Sequence, residues 1–157
     1  MKKIIILLIA ILLTLTGCKK VEEAVQLKID FDFTYDGYTY KLGEKFNVDD
    51  YEEPESYSEI ASCAFEGLDK TYTYEHFELT TYPVDGEERL YVIYFLDDEA
   101  RTNEGIAIAD SYEDMISSYG ESYVKEENKY TYTIGKKSIT FIVENDFITS
   151  IEYDYEV

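Results

Sequence analysis

The stretch LKIDFDFTYDGYTYKL, residues 27–42, decides the fold that this sequence predicts. Apolar and aromatic residues take alternate positions through it, which is typical of a strand that buries one face. The pair Asp36-Gly37 interrupts the alternation and suits a two-residue type I′ turn, because both central residues of that turn need a positive φ. We therefore expect a β-hairpin in which Tyr35 lies opposite Tyr38.

Six further segments have the β-branched and aromatic composition of strands. They are Lys70–Glu75, Glu78–Tyr82, Leu90–Leu96, Lys129–Thr133, Ser138–Val143 and Phe147–Tyr155. Turn signals at Val84–Glu87 and Glu144–Asp146 separate two pairs of them. The segment Leu90–Leu96 is apolar at successive positions, which indicates either a strand buried on both faces or a central strand whose open face receives a partner.

A short helix is predicted from about Ser111 to Tyr119. Ser111 is suited to cap its first turn, Asp114 stands three residues on, and Gly120 follows its last turn. Apolar residues recur inside it at helical spacing, at Tyr112, Met115, Ile116 and Tyr119. Since the helix has only two to three turns, packing rather than intrinsic propensity must stabilise it.

Self-comparison of the sequence indicates an internal duplication. Thr73-Tyr74 and Thr131-Tyr132 are separated by the same spacing as Ile93 and Ile151. Tyr51–Tyr57 loosely matches Tyr119–Tyr123. Each half then has the order helix, Tyr-Thr strand, strand, turn, strand. We predict an α+β fold of two tandem repeats, each with short helix segments packed on an antiparallel β-sheet.

The N-terminal segment has the features of a secretory signal. Lys2 and Lys3 precede the apolar run Ile4–Leu15, which spans about 20 Å as a helix and is shorter than the ~30 Å hydrocarbon core of a membrane. The tetrapeptide Leu15–Cys18 resembles a bacterial lipobox. The resemblance implies that Cys18 is acylated and anchors the protein to the extracytoplasmic face of the cell membrane.

The predicted organisation has four parts. Residues 1–17 are the lipoprotein signal peptide and residues 18–26 are a tether. Residues 27–98 form the first helix-and-sheet repeat with its N-terminal hairpin, and residues 99–157 form the second.

The second half also resembles a known family of repeats. Gly105–Glu121 is similar to the start of β-lactamase-inhibitor-protein-like repeats, although Ala109 replaces a glycine and Ser122 stands where proline is usual. Ile139–Ile151 resembles the strand pair that closes those repeats, and the same unit occurs in outer-membrane assembly lipoproteins. The chain also resembles lipoproteins of Gram-positive bacteria at Ser62–Lys70, Thr80–Pro83 and Thr102–Gly105. The resemblance implies a fold and carries over no inhibitory contact residue, so it does not imply inhibition of a β-lactamase.

The charge of the chain restricts its partners. It contains 34 Asp and Glu against 14 Lys and Arg, a formal net charge of −20. This charge repels phosphate backbones and anionic lipid headgroups, so we expect no nucleic-acid binding and expect membrane attachment only through the lipid. It attracts calcium or a basic partner, although solubility outside the cell is its simplest explanation.

We predict no catalytic residues, no metal ligands and no cofactor. Cys63 is the only thiol besides Cys18, and Ala64 and Phe65 beside it favour a buried position. A nucleophile needs a base and an orienting group, so an enzyme that uses Cys63 and His76 is the least favoured alternative. One histidine and one free cysteine are also too few for a zinc site.

A calcium-responsive structural module is the second alternative. Acidic runs at Asp49–Glu53 and Asp97–Glu99 have the oxygen ligands that calcium prefers. A solvated charged surface is the simpler explanation of these runs.

The leading functional hypothesis is a binding module without catalytic activity. Tyrosine combines apolar area with a hydroxyl group at a low entropic cost, which suits a recognition surface. We expect such a surface on one face of the sheet, where it would bind an envelope protein or another envelope ligand. The predicted contact residues are Tyr72, Tyr74, Tyr91, Tyr94, Tyr130 and Tyr132.

Overall fold

The computed structural model describes residues 29–63 and 66–157. The predicted signal peptide, the tether and Cys18 lie outside the described residues. Ten strands, one α-helix and one 3-10 helix follow one another in the described part of the chain. They are β1 (Phe33–Tyr35), β2 (Tyr38–Tyr40), a 3-10 helix (Val48–Asp50), β3 (Ser56–Ala61), β4 (Leu68–Thr73), β5 (Phe77–Val84), β6 (Glu87–Phe95), α1 (Tyr112–Tyr119), β7 (Val124–Glu126), β8 (Lys129–Ile134), β9 (Lys137–Glu144) and β10 (Phe147–Tyr155).

Eight of the strands form one antiparallel sheet in the order β3-β4-β5-β6-β10-β9-β8-β7. The sheet consists of two four-stranded meanders, and the last strands of the two meanders, β6 and β10, pair at its centre. Strands β1 and β2 form a separate two-stranded sheet. They pair as predicted, with Tyr35 opposite Tyr38 and Phe33 opposite Tyr40.

The predicted α+β class, with helix segments packed on the sheet in each half, is wrong. The described chain is mostly β, and α1 is its single α-helix. In the first half, the described chain ahead of the Tyr-Thr strand β4 contains one 3-10 turn at Val48–Asp50 and the strand β3, and no α-helix. Pro54 and the alternation that follows it explain the difference, since proline disfavours a helical conformation in the preceding residue.

One face of the large sheet is covered. The hairpin, the connection that follows it and α1 contribute Phe33, Tyr40, Phe46, Met115 and Tyr119 to a single core with the sheet. Phe33 is fully buried, and its ring lies 5.0 Å from those of both Phe77 and Phe95, measured between centroids. Aromatic side chains bury large areas, so this layer supplies much of the hydrophobic stabilisation.

The alternation of tyrosine and threonine decides which face is covered. In β4 and β8, Tyr72 and Tyr132 point into the core, while the neighbouring Thr71 and Thr131 lie on the opposite face. Successive side chains of a strand point to opposite sides of a sheet. The two Tyr-Thr strands therefore place the tyrosine rings in the core and the threonine hydroxyls on the opposite face.

Cys63 is exposed, and the prediction of a buried thiol is therefore wrong. It follows β3, an edge strand in which all six residues are exposed, so no neighbouring strand shields this part of the chain on that side. Among the described residues, no helix is both long and apolar enough to cross a membrane.

Candidate binding surface

The second face of the eight-stranded sheet is the candidate binding surface, and we call it the open face. The core cluster lies on the other face of the sheet. Two rows of side chains cross it from strand to strand, as the pairing registers show. The rows are Thr73-Glu78-Tyr94-Glu152-Thr140-Thr131 and Thr71-Thr80-Val92-Asp154-Ser138-Thr133.

Hydroxyl groups dominate the two flanks of the open face. The Oγ1 atoms of Thr71 and Thr80 lie 3.4 Å apart, and those of Thr131 and Thr140 lie 3.1 Å apart. Cross-strand threonine pairs of this kind stabilise an antiparallel sheet. The flanks therefore carry short polar side chains that leave the centre of the face accessible.

The centre of the open face carries an aromatic ring and two carboxylates. Glu152 and Asp154 of β10 lie opposite Tyr94 and Val92 of β6. The ring of Tyr94 is exposed, whereas both carboxylate side chains are half-buried.

Burial raises the pKa of Glu152 above its ordinary value, and the neighbouring Asp154 carboxylate adds to the shift. Burial likewise raises the pKa of Asp154. Lys129 on β8 opposes both shifts, but no cation of the described residues forms an ion pair with either carboxylate. Half-buried carboxylates that form no ion pair mark a candidate functional site.

A groove of about 490 Å³ continues the open face towards the β8–β9 turn. Its walls carry the rings of Tyr91 and Tyr155, the carboxylates of Asp154 and Glu156, the ammonium group of Lys136, and the hydroxyls of Thr131, Thr133 and Ser138. Aromatic, hydroxyl and carboxylate groups are therefore accessible from one side of the sheet. The ring of Tyr91 is held by an edge contact with the ring of Tyr82, 5.2 Å between centroids.

The structure divides the six predicted contact tyrosines into two groups. Tyr72, Tyr74, Tyr130 and Tyr132 are buried on the covered face and belong to the core. Tyr91 and Tyr94 lie on the open side of the sheet. The surface predicted from the sequence therefore narrows to the two tyrosines of β6, and its other four members pack the core.

Sequence reasoning missed the two carboxylates of β10. Their signal is present in the segment Ile151–Tyr155, where two acids alternate with large apolar residues in a strand. In an edge strand, the same alternation would only mean that the acids face water. Only the pairing of β10 with β6 places Glu152 and Asp154 at the centre of the sheet.

Cys63 and His76 lie at opposite ends of β4, because Cys63 precedes this six-residue strand and His76 follows it. Six residues of extended chain span about 20 Å. His76 instead pairs with Asp97, with 2.8 Å between Nδ1 and the carboxylate. This hydrogen bond raises the pKa of His76 above its ordinary value. The fold does not assemble the thiol–imidazole pair of the least favoured alternative.

The acidic runs that suggested calcium are dispersed. Asp97 is engaged by His76 and by the backbone N–H of Glu99, 3.0 Å away. Across residues 29–63 and 66–157, no three Asp, Glu, His or Cys side chains come together as ligands of one metal ion would.

Comparison with known proteins identifies no relative. No family model matches the chain, and neither a curated protein nor a solved structure matches it. The resemblance to β-lactamase-inhibitor-protein-like repeats therefore remains a prediction.

Proposed function

We propose that this protein is a lipid-anchored binding module of the cell envelope that holds a positively charged partner on its open face. The observation that carries the proposal is the position of Glu152 and Asp154. They are two half-buried carboxylates that form no ion pair with the described residues, at the centre of the sheet face opposite the core cluster.

The energetics of these carboxylates favour an external cation. Partial removal of a carboxylate from water costs free energy unless a hydrogen-bond donor or an opposite charge replaces the water. A Lys or Arg side chain of a partner supplies both. The ring of Tyr94 lies beside Glu152 and offers a flat surface on which a cation or an aliphatic chain can pack.

The overall charge of the chain also favours a positively charged partner. A formal net charge of −20 raises the association rate of a basic partner and repels acidic ones. A lipid on Cys18 would confine the module to the membrane surface, where the partner is expected. The proposal assigns no chemical reaction to the protein.

The test compares capture of envelope proteins by two variants that carry equal charge. The triple variant Tyr94→Ala, Glu152→Gln, Asp154→Asn removes the proposed contacts. The control variant Tyr57→Ala, Glu126→Gln, Asp146→Asn makes the same types of change at exposed positions away from the centre of the open face. We expect a basic protein that the wild type and the control capture and that the open-face variant does not.

The test is decided by the difference in capture between the open-face variant and the control variant. Capture of the same proteins in equal amounts by both would contradict the proposal, provided that circular dichroism shows both to be folded. A partner lost equally from both variants would indicate attraction by net charge alone and would also contradict it.

A further inference from the structure

Strand β3 forms an unpaired edge of the eight-stranded sheet. It stands first in the strand order, and no strand of the described residues pairs with its outer side. All six of its residues are exposed. Its register with β4 runs without interruption from Ser56 to Ala61, so the sheet ends in a regular edge that is six residues long.

The hydrogen bonds between β3 and β4 show which backbone groups of β3 point outwards. The N–H of Ser62, directly after β3, donates to the carbonyl oxygen of Gly67 at 3.0 Å. In an antiparallel pair, hydrogen-bonded positions alternate with positions that are not hydrogen-bonded. Every second residue before Ser62 therefore bonds to β4, and the residues between them direct their N–H and C=O groups away from the sheet. The outward residues are Tyr57, Glu59 and Ala61.

Strand β3 lacks the features that usually protect a sheet edge. Soluble proteins blunt such edges with short strands, lysine, proline or bulges, because unpaired backbone groups recruit another strand. The strand at the opposite edge, β7, follows this pattern, since it has three residues and Lys125 is the central one. Strand β3 contains neither lysine nor proline. Its one charged side chain, Glu59, accepts a hydrogen bond from the Tyr57 hydroxyl at 2.6 Å and is therefore directed along its own strand.

A groove of about 780 Å³ follows this edge on the covered face of the sheet, and we call it the edge groove. Its walls include residues of the 3-10 helix and the rings of Tyr51, Tyr57 and Tyr72. Tyr57 lies opposite Tyr72, with 5.2 Å between the ring centroids. Facing residues of paired strands project to the same side of a sheet. A strand added beside β3 would therefore place the side chain opposite Tyr57 in the edge groove.

The edge groove favours a basic side chain. The carboxylates of Asp49, Glu53 and Glu55 line it, and no Lys or Arg of the described residues does. These three carboxylates form no ion pair within the described part of the chain. The stem of a Lys or Arg can pack on the tyrosine rings while its charged end reaches the carboxylates. A second copy of this chain is a poor occupant, because its net charge of −20 repels the groove.

The other side of the edge is apolar. Ile60 is 68 % exposed, and because it lies three positions from Tyr57 it projects to the opposite face of the sheet. An apolar side chain opposite Ile60 would cover it. In an antiparallel added strand, the residue opposite Ile60 comes three positions before the residue opposite Tyr57. The edge therefore selects the order apolar-x-x-basic, where x is any residue.

We propose that β3 binds an extended segment of a partner protein as an additional antiparallel strand of the sheet. The backbone of the segment exchanges hydrogen bonds with Tyr57, Glu59 and Ala61. Its basic side chain enters the edge groove, and its apolar side chain covers Ile60. In strand addition, main-chain hydrogen bonds supply affinity and alternate side chains supply specificity. The inference goes beyond the proposed function, because the carboxylates of the open face take no part in it.

The test measures the fluorescence anisotropy of a labelled peptide, Thr-Ile-Thr-Thr-Lys-Thr with a capped C-terminus, during titration with the purified full-length chain. We expect saturable binding in which the third peptide residue lies opposite Glu59 and the fourth opposite Ser58. N-methylation of the third residue removes an N–H that donates to β3 and should weaken binding about tenfold. N-methylation of the fourth, whose N–H points away from β3, should change binding by less than about twofold. Glutamate in place of the peptide lysine should weaken binding about fivefold.

Variants of the protein test the same contacts from the other side. Ala61→Pro removes an outward N–H without removing a bond to β4 and should weaken binding, whereas Ala61→Val keeps that N–H and should bind as the wild type does. The double variant Glu53→Gln, Glu55→Gln should bind the lysine peptide more weakly. The control Glu126→Gln, Glu144→Gln loses the same charge at exposed positions outside the groove and should not. Circular dichroism checks that each variant is folded.

The absence of saturable binding, or equal weakening by the two N-methylated peptides, would overturn the proposal. Equal losses in the two double variants would also overturn it. A dimer of the wild type that Ala61→Pro dissociates, detected by light scattering, would show that a second copy occupies the edge and would count against a partner segment. An envelope protein that the open-face variant captures and that the control variant with Tyr57→Ala loses would support the proposal, so the two tests remain distinguishable.

Discussion

Gly43 lies where a β-carbon has no room. Its φ is +77°, and a β-carbon there would meet the ring of Tyr155. The residue joins the hairpin to the large sheet, because its N–H donates to the carbonyl oxygen of Leu90 at 2.8 Å and its carbonyl accepts from Arg89 at 3.1 Å. A substitution at Gly43 therefore disturbs the contact between the two sheets.

We expect Gly43→Ala to lower the free energy of unfolding by about 2–4 kcal/mol, because positive-φ strain and overpacking add. The matched control is Gly37→Ala, whose φ is +86° but whose β-carbon would meet nothing within 4 Å. Gly37→Ala should lower the free energy of unfolding by only about 1 kcal/mol. Urea unfolding of both variants measures the difference, and equal losses would show that contact with Tyr155 is unimportant.

The charges of Glu152 and Asp154 lower the stability of the folded protein, whereas the charge of an ion-paired acid raises it. Because burial raises the pKa of each carboxyl in the folded protein, the folded state binds protons more tightly than the unfolded state does. The free energy of unfolding therefore falls as the pH rises from the carboxyl pKa of the unfolded state through the higher carboxyl pKa of the folded state. At neutral pH both charges are destabilising.

We expect the double variant Glu152→Gln, Asp154→Asn to be more stable than the wild type at pH 7. The gain is about 0.5 kcal/mol, or roughly 2 °C in Tm, since both side chains are partly solvated. The difference should shrink as the pH is lowered towards 4. Thermal melts at several pH values test this, and a variant less stable than the wild type at pH 7 would show that the two charges are satisfied within the protein.

At the scale of elements, local sequence signals predicted the hairpin, the helix and six strands of the large sheet. Those signals are an Asp-Gly turn, a capping residue and period-two alternation, which act within a few residues. Strands β3 and β7 were missed because both lie at the edges of the sheet and lack buried residues. The first-half helix was predicted by analogy with the second half, and no capping signal supported it.

The N-terminus of α1 is held by a reciprocal capping box. The Ser111 hydroxyl accepts from the N–H of Asp114 at 3.1 Å, and the Asp114 carboxylate accepts from the N–H of Ser111 at 3.2 Å. A hydrogen bond from the Ser111 hydroxyl also lowers the pKa of Asp114. The helix is short, so this cap contributes a large part of its intrinsic stability.

We expect Ser111→Ala to destabilise the protein by about 1 kcal/mol. Ser117→Ala, at an exposed position inside the helix, should be neutral or slightly stabilising because alanine has the higher helix propensity. Chemical denaturation distinguishes the two variants. A neutral Ser111→Ala would mean that packing of Met115 and Tyr119 alone holds the helix.

At the scale of the molecule, the candidate site could be predicted only in part. The sequence indicates an aromatic sheet face, and two of the six tyrosines assigned to it lie on the open side. The other four could not be separated from them, because the side of a sheet that becomes covered depends on elements distant in sequence. Phe33 of the hairpin and Met115 of α1 cover the side that holds Tyr72 and Tyr132.

Membrane attachment is a prediction that rests on the lipobox-like tetrapeptide ending at Cys18. We expect the wild type to fractionate with membranes and Cys18→Ala to be lost from them, because no basic surface replaces the lipid. Mass spectrometry of the mature N-terminus should find an acylated Cys18. An unmodified Cys18 would contradict the prediction.

The most direct test of the central claim places a photo-crosslinking amino acid at Tyr94 in the protein within intact cell envelopes. Tyr57, which is 48 % exposed on edge strand β3, provides the matched control position. If the open face holds a basic partner, irradiation should yield one discrete adduct from position 94, absent from position 57 and from a Glu152→Gln, Asp154→Asn background. Identical adducts from both positions, or none from position 94, would contradict the account.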